Sequence, residues 1–177
     1  MDIRGYLVGA PRRLLRSVAV RPRSRDWAEV VLAALLLAIL TGPAGFASGL
    51  LSWRPRPLHE TLALALPALI APGFGEEAIF RGLMIPDRRE APSAWMAIVV
   101  STALFCLWHV LEASTFLPKA KPLFLRSDFL GWTVLLGVAC AALRRRSGSL
   151  WTAVILHWIV VVIWQGWLGG PTAQALR

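Results

Sequence analysis

Glu76, Glu77 and Arg81 stand in one Gly-Glu-Glu-Ala-Ile-Phe-Arg-Gly block, and His109 and His157 follow in later stretches that are otherwise apolar. Carboxylates and imidazoles move protons near neutrality, so this set has the parts to activate a water molecule and steady the charge its attack creates. A charge at the centre of a membrane-spanning helix costs about 2.5–3.5 kcal/mol on insertion scales, and ionisable residues kept there usually face a cavity and function in it. In an α-helix Glu77 and Arg81 share a face, so Arg81 can neutralise Glu77 while Glu76 points about 100° away and stays free. Pro72-Gly73 and Gly75 interrupt the segment just upstream. They are expected to set both carboxylates near a fresh helix N-terminus, whose dipole favours them. Glu112, three residues beyond His109, is placed to orient its ring. Each feature also has a plainer reading: an ordinary ion pair at a helix end, and histidines that only pack helices. Ala78, Ile79, Phe80, Leu83 and Met84 around the pair argue against the first. Three segments each supplying a proton-active group argue against the second. His59 and Glu60 begin their segment and read as solvated boundary residues.

The elements that must position these groups are membrane-like. Of 177 residues 56% are hydrophobic and only 16% charged, with a mean hydropathy of +0.60, too apolar for a soluble domain of this size. Among the nine tryptophans, Trp27, Trp53, Trp95, Trp132 and Trp151 lie near segment edges, where amphipathic rings prefer the headgroup region. The net charge of +9 comes from arginines clustered at the ends of apolar runs, which membrane topology explains better than nucleic acid does. Cys106 and Cys140 form no C-x-x-C pattern and read as inert buried thiols. An arginine-rich, lysine-poor chain with abundant Ala and Leu points to a GC-rich bacterial genome.

Five apolar segments follow a basic stretch over residues 1–26: 27–51 with a kink or early end at Gly42-Pro43, 58–85, 94–112, 129–143 and 150–168. Lengths near 20 residues suit single spans, and the fourth is short enough to be tilted or re-entrant. The fold class is therefore all-α, a polytopic transmembrane bundle of about five spans. The chain divides into the basic segment 1–26, a helix-bundle domain over 27–170 and a short tail, 171–177. The first of these is either an interfacial helix beginning at Pro11 or a disordered tail. It is not a secretory signal, because the apolar run behind it is too long. With five crossings and the N-terminus inside, the inner sections hold Arg4, Arg12, Arg13, Arg16, Arg21, Arg23, Arg25, Arg88, Arg89 and Arg144–Arg146. The outer sections hold only Arg54, Arg56, Lys119, Lys121, Arg126 and Arg177. The excess favours a cytoplasmic N-terminus in a cell membrane.

The order Glu76-Glu77-x-x-x-Arg81, then Phe105-x-x-x-His109, then His157 in the last helix resembles the three-motif signature of the CPBP/Abi intramembrane proteases. That family includes the CAAX prenyl endopeptidases of the Rce1 type. The resemblance covers about residues 70–165. It implies a glutamate-dependent endopeptidase with no cofactor, acting near the C-terminal end of a membrane-anchored protein or peptide. By the same analogy Glu76 is the general base and positions the attacking water with His109. His157 stabilises the oxyanion, and Glu77 with Arg81 supports the site. The chain departs from the pattern at Val161, where the family usually has Asn or Asp four residues after the last histidine. Gln165 and Trp164 are the candidate substitutes for the lost donor. Five spans are also fewer than many relatives have. Helix rise sets a further condition: His109 lies about 22 Å from the start of its segment and His157 about 10 Å from its own. The third segment must therefore start below the membrane plane or tilt if they are to meet.

Three other readings compete. A Glu and two His could hold a catalytic zinc ion, although there is no His-Glu-x-x-His. A non-catalytic binding or immunity-type membrane protein, or a pseudo-protease, would account for Val161. A transporter fits least, since five spans without a repeat do not suit inverted-repeat designs.

Overall fold

The computed structural model describes residues 6, 8–91, 93–172 and 174–176. Arg4 and Arg177, counted above among the topological charges, lie outside them. Among the described residues the regular structure is helical, without strands. The helices are α1 (Ala10–Ala19), α2 (Ser24–Ala47), α3 (Leu58–Leu83), α4 (Trp95–Thr115), α5 (Ser127–Ser147) and α6 (Trp151–Trp167). A 3₁₀ turn, Pro118–Ala120, and one helical turn, Lys121–Phe124, join α4 to α5.

Helices α2 to α5 are long and apolar enough to cross a membrane. Helix α6 has 17 residues, about 26 Å at the α-helical rise against a hydrocarbon core of about 30 Å. The short element is thus α6, whereas hydropathy pointed to α5. Asp128 in the first turn and Arg144, Arg145 and Arg146 in the last extend α5 to 21 residues. These charges look like loop in a hydropathy reading but suit the two ends of the helix dipole. Helix α2 likewise runs through Gly42-Pro43 to Ala47.

Helix α3 changes character along its length. Leu58–Ala68 is α-helical, while Leu69–Glu76 and Ala78–Leu83 are π-helical. Pro72 has no N–H, and in an α-helix its ring would crowd the carbonyl four residues back; a wider turn eases that crowding. The chain therefore passes Pro72-Gly73 without a break, and the fresh helix start expected there does not form. A Cβ on Gly73 would stand 3.0 Å from the Ala68 carbonyl and 3.5 Å from Cβ of Trp158. The tight contact is with the carbonyl of its own helix; the approach of α6 at Trp158 is of ordinary van der Waals length.

The described part of the basic N-terminal stretch is helical and partly buried. Helix α1 packs on the last turns of α3, with Leu14 against Gly82. Arg13 is buried, bonded from Nε to Glu90 (3.1 Å) and from its other nitrogens to the Leu83 and Tyr6 carbonyls. The Leu150 N–H donates to the Ser17 carbonyl (2.9 Å) and the Trp151 indole to the Val18 carbonyl (3.0 Å), which joins α1 to the start of α6. Between α3 and α4, Asp87 accepts hydrogen bonds from the N–H groups of Arg89 (2.6 Å) and Glu90 (2.9 Å). Partial burial alone would raise the Asp87 pKa, but those bonds and the charges of Arg144 and Arg89 bring it below the usual range.

Helix α5 is central, packing on α4, α6 and α2. Helix α2 is fastened to it at both ends. Arg146 makes a two-pronged pair with Glu29 (2.7 and 2.9 Å). At the far end Arg126, itself held by Asp128, donates to the Ser48 carbonyl (2.9 Å). Trp132 also belongs to this contact: a Cβ on Gly45 would fall 1.9 Å from its ring. Between the fastenings α2 borders a half-open cavity of about 350 Å³.

Candidate active site

Helices α3, α4 and α6 bring the proton-active residues together. Glu77 and Arg81 are fully buried and form an ion pair, Oε1 to Nη1, at 3.1 Å. His157 donates from Nδ1 to the same Glu77 oxygen at 2.9 Å. Its Nε2 lies 4.0 Å from Oε2 of Glu76. One imidazole thus spans both carboxylates. Glu76 and Glu77 diverge along α3, as adjacent helical residues do, and His157 bridges them by using one ring nitrogen for each.

Phe105 is the floor of the cluster. The Arg81 guanidinium lies 4.2 Å from its ring centroid, a cation–π contact. The His109 and His157 rings stand edge-on to it at 4.8 and 5.7 Å. His109 donates from Nδ1 to the Phe105 carbonyl at 2.9 Å, which leaves Nε2 with a lone pair. Glu112 therefore does not orient His109. It lies on the other flank, where it and Glu76 both come within electrostatic reach of the Trp108 indole N–H.

His109 and His157 meet at the Phe105 ring although they lie at different distances along their helices. Trp95–Ala97 share a recess with Tyr6, Gly9 and Arg13, so α4 begins beside α1. Ser101, in its second turn, donates to the Phe80 carbonyl near the end of α3 (2.6 Å). Helix α4 starts lower than α3 ends, and His109 arrives level with His157.

Both histidines line the cavity under α2, with Val161 among its otherwise largely apolar walls. Glu76 is not part of that wall; His157 touches both the cavity and Glu76. Gln165 does not replace the missing donor, because its amide nitrogen bonds the Pro171 carbonyl (3.1 Å). His59 and Glu60 are exposed, as expected of boundary residues. Cys140 is buried and Cys106 partly so, and neither is in a disulfide. Among the described residues no three His, Cys, Asp or Glu side chains gather closely enough to hold a metal ion.

The family model for type II CAAX prenyl endopeptidase Rce1-like proteins matches residues 58–163. The chain belongs to this family. No curated protein and no solved structure matches it. The Rce1-like region runs from the start of α3 into α6 and contains every residue of the cluster. Helices α1 and α2 lie outside it, although α2 forms one wall of the cavity. Rce1-like proteins are a protease family of the membrane, and this chain has the corresponding multi-pass helical form.

Several contributors carried no sequence signal beyond being small or aromatic. Gly137 of α5 is one: a Cβ there would stand 3.0 Å from both Arg81 Nη2 and Thr102 Cγ2. Small residues at helix crossings are frequent in membrane bundles, so neither Gly73 nor Gly137 was distinguishable from a dozen others.

Proposed function

We propose that the protein is an intramembrane endopeptidase that hydrolyses a peptide bond near the C-terminal end of a membrane-anchored protein or peptide. The observation that supports this most directly is His157, whose Nδ1 is tied to Glu77 while Nε2 stands 4.0 Å from Glu76. Glu76 takes a proton from water, and the His109 Nε2 lone pair accepts a hydrogen bond from that water and orients it. The hydroxide attacks the carbonyl carbon, and His157, carrying a proton on Nε2, donates to the oxyanion. As the C–N bond breaks, the proton held by Glu76 passes to the leaving amine, and the carboxylate is restored. Glu77 and Arg81 hold His157 in place and take no part in bond changes. The arginine-rich end bearing α1 faces the cytoplasm in this reading.

Mass spectrometry of membrane-protein and secreted-peptide termini in the native host tests the reading. Wild type is compared with Glu76→Gln, His109→Ala and His157→Ala at matched protein levels. The expected result is one set of C-terminal cleavages that disappears in all three variants. Unchanged termini alongside a phenotype of the gene deletion would sink the protease reading in favour of a non-catalytic membrane protein of the same fold.

A further inference from the structure

The proposed chemistry leaves the oxyanion short of donors. His157 can offer it only Nε2, because Nδ1 is held by Glu77 at 2.9 Å. One turn along α6, Val161 presents only methyl groups to the same cavity. Tetrahedral intermediates are commonly held by two donors, and removing one from a serine protease costs about 10²–10³ in rate.

We propose that Thr133 of α5 supplies the second oxyanion hydrogen bond. This rests on the protease reading. Its side chain lines the cavity with Phe105, His109 and His157, and it is 6% exposed. Its neighbours on the same helix face fix its level. Gly137, one turn on, abuts Arg81 and Phe105, with a Cβ position 3.4 Å from the Phe105 ring. Phe129, one turn back, has its ring 5.7 Å from that of His109. Thr133 lies between them, beside the histidine cluster.

The hydroxyl is available. It donates to the Phe129 carbonyl at 3.0 Å, a carbonyl that in an α-helix also accepts the Thr133 backbone N–H. Turning the hydroxyl toward a developing negative charge therefore orphans no buried acceptor. Other candidates on the wall are less suited. Thr41 belongs to α2, across the cavity, and bonds the Leu37 carbonyl at 2.7 Å. Trp164 is packed against Phe129 at 5.9 Å, two turns from His157.

The test uses the purified full chain in liposomes, fused with membranes from a host strain lacking the gene, with new peptide termini followed over time by mass spectrometry. Thr133→Val removes the hydroxyl at nearly constant shape and is expected to slow the Glu76-dependent cleavages by about 10²–10³. Thr133→Ser keeps most of the rate. Val161→Asn added to Thr133→Val regains at least about tenfold, and regains far more there than the same change gains in the wild type. A purely structural role for Thr133 would not be rescued from α6. Thr133→Val cutting at the wild-type rate, while Glu76→Gln is inert, overturns this assignment and leaves the protease standing. The assignment falls equally if Val161→Asn brings nothing back to a folded Thr133→Val. If Glu76→Gln is as active as wild type, or the wild type cuts nothing, both readings fall together.

Discussion

Glu77 is held from two sides in a fully buried setting, by the Arg81 charge at 3.1 Å and by the His157 hydrogen bond at 2.9 Å on the same oxygen. Taking two charges out of water is costly, and removing one partner of such a pair leaves the other uncompensated. Glu77→Gln is therefore expected to cost about 3–5 kcal/mol, read as a fall in thermal unfolding temperature in detergent. Glu77→Gln combined with Arg81→Met is expected to cost less than the sum of the two single changes. Additive losses would show that the two side chains do not depend on each other. The pairing itself was legible in the sequence, since four-residue spacing brings the two together in any helical register close to α. The meeting of Glu76 with His157 was not. It depends on where His157 of α6 stands, about 80 residues further on, which no periodicity in α3 announces.

Helix α3 shows how an element can carry a site by departing from regular form. Its π-helical stretches shift the hydrogen-bond register, and the Phe80 carbonyl takes a side-chain donor, Ser101, from the neighbouring helix at 2.6 Å. Ser101→Ala leaves that buried carbonyl with one bond fewer. It is expected to lower stability by about 1–3 kcal/mol, measured by thermal unfolding, with the loss of amide protection concentrated at residues 78–83. An unchanged protection pattern would mean that the stretch holds its shape without α4. Segment positions were readable throughout, because twenty-residue apolar runs bounded by arginine leave little choice in a bilayer. Segment ends were less so. Asp128 and Arg144–Arg146 lengthen α5 where a hydropathy window stops, and the docking of α1 includes a buried arginine, Arg13, that composition classed with its solvated neighbours.

At the scale of the whole molecule, the cavity wall formed by α2 comes from outside the family-matched region, packs through Val30, Ala33, Ala34 and Leu37 on α5 and α6, and carries a polar fastening at each end. The Glu29–Arg146 fastening is partly exposed, with Glu29 20% and Arg146 50% accessible, so it adds little to global stability. Its local effect is larger. Glu29→Arg is expected to leave the unfolding temperature almost unchanged while amide exchange rises in the first turns of α2. Exchanging the charges, with Glu29→Arg and Arg146→Glu together, is expected to restore protection. If the single change leaves exchange as it was, α2 is held by its apolar contacts alone.

The joining of Glu77 to His157 crosses 80 residues of chain, and the fastening of α2 waits on a partner 117 residues downstream. A ribosome adding roughly 5–20 residues per second needs about 4–16 s to pass from the first glutamate to the last histidine. Throughout that interval α2 and α3 are in the translocon's neighbourhood, among other unfinished chains, with no imidazole from α6 to complete the cluster. On the proposed protease reading, the growing polypeptide cannot cut its neighbours until α6 is made, so order of synthesis alone delays competence to that helix.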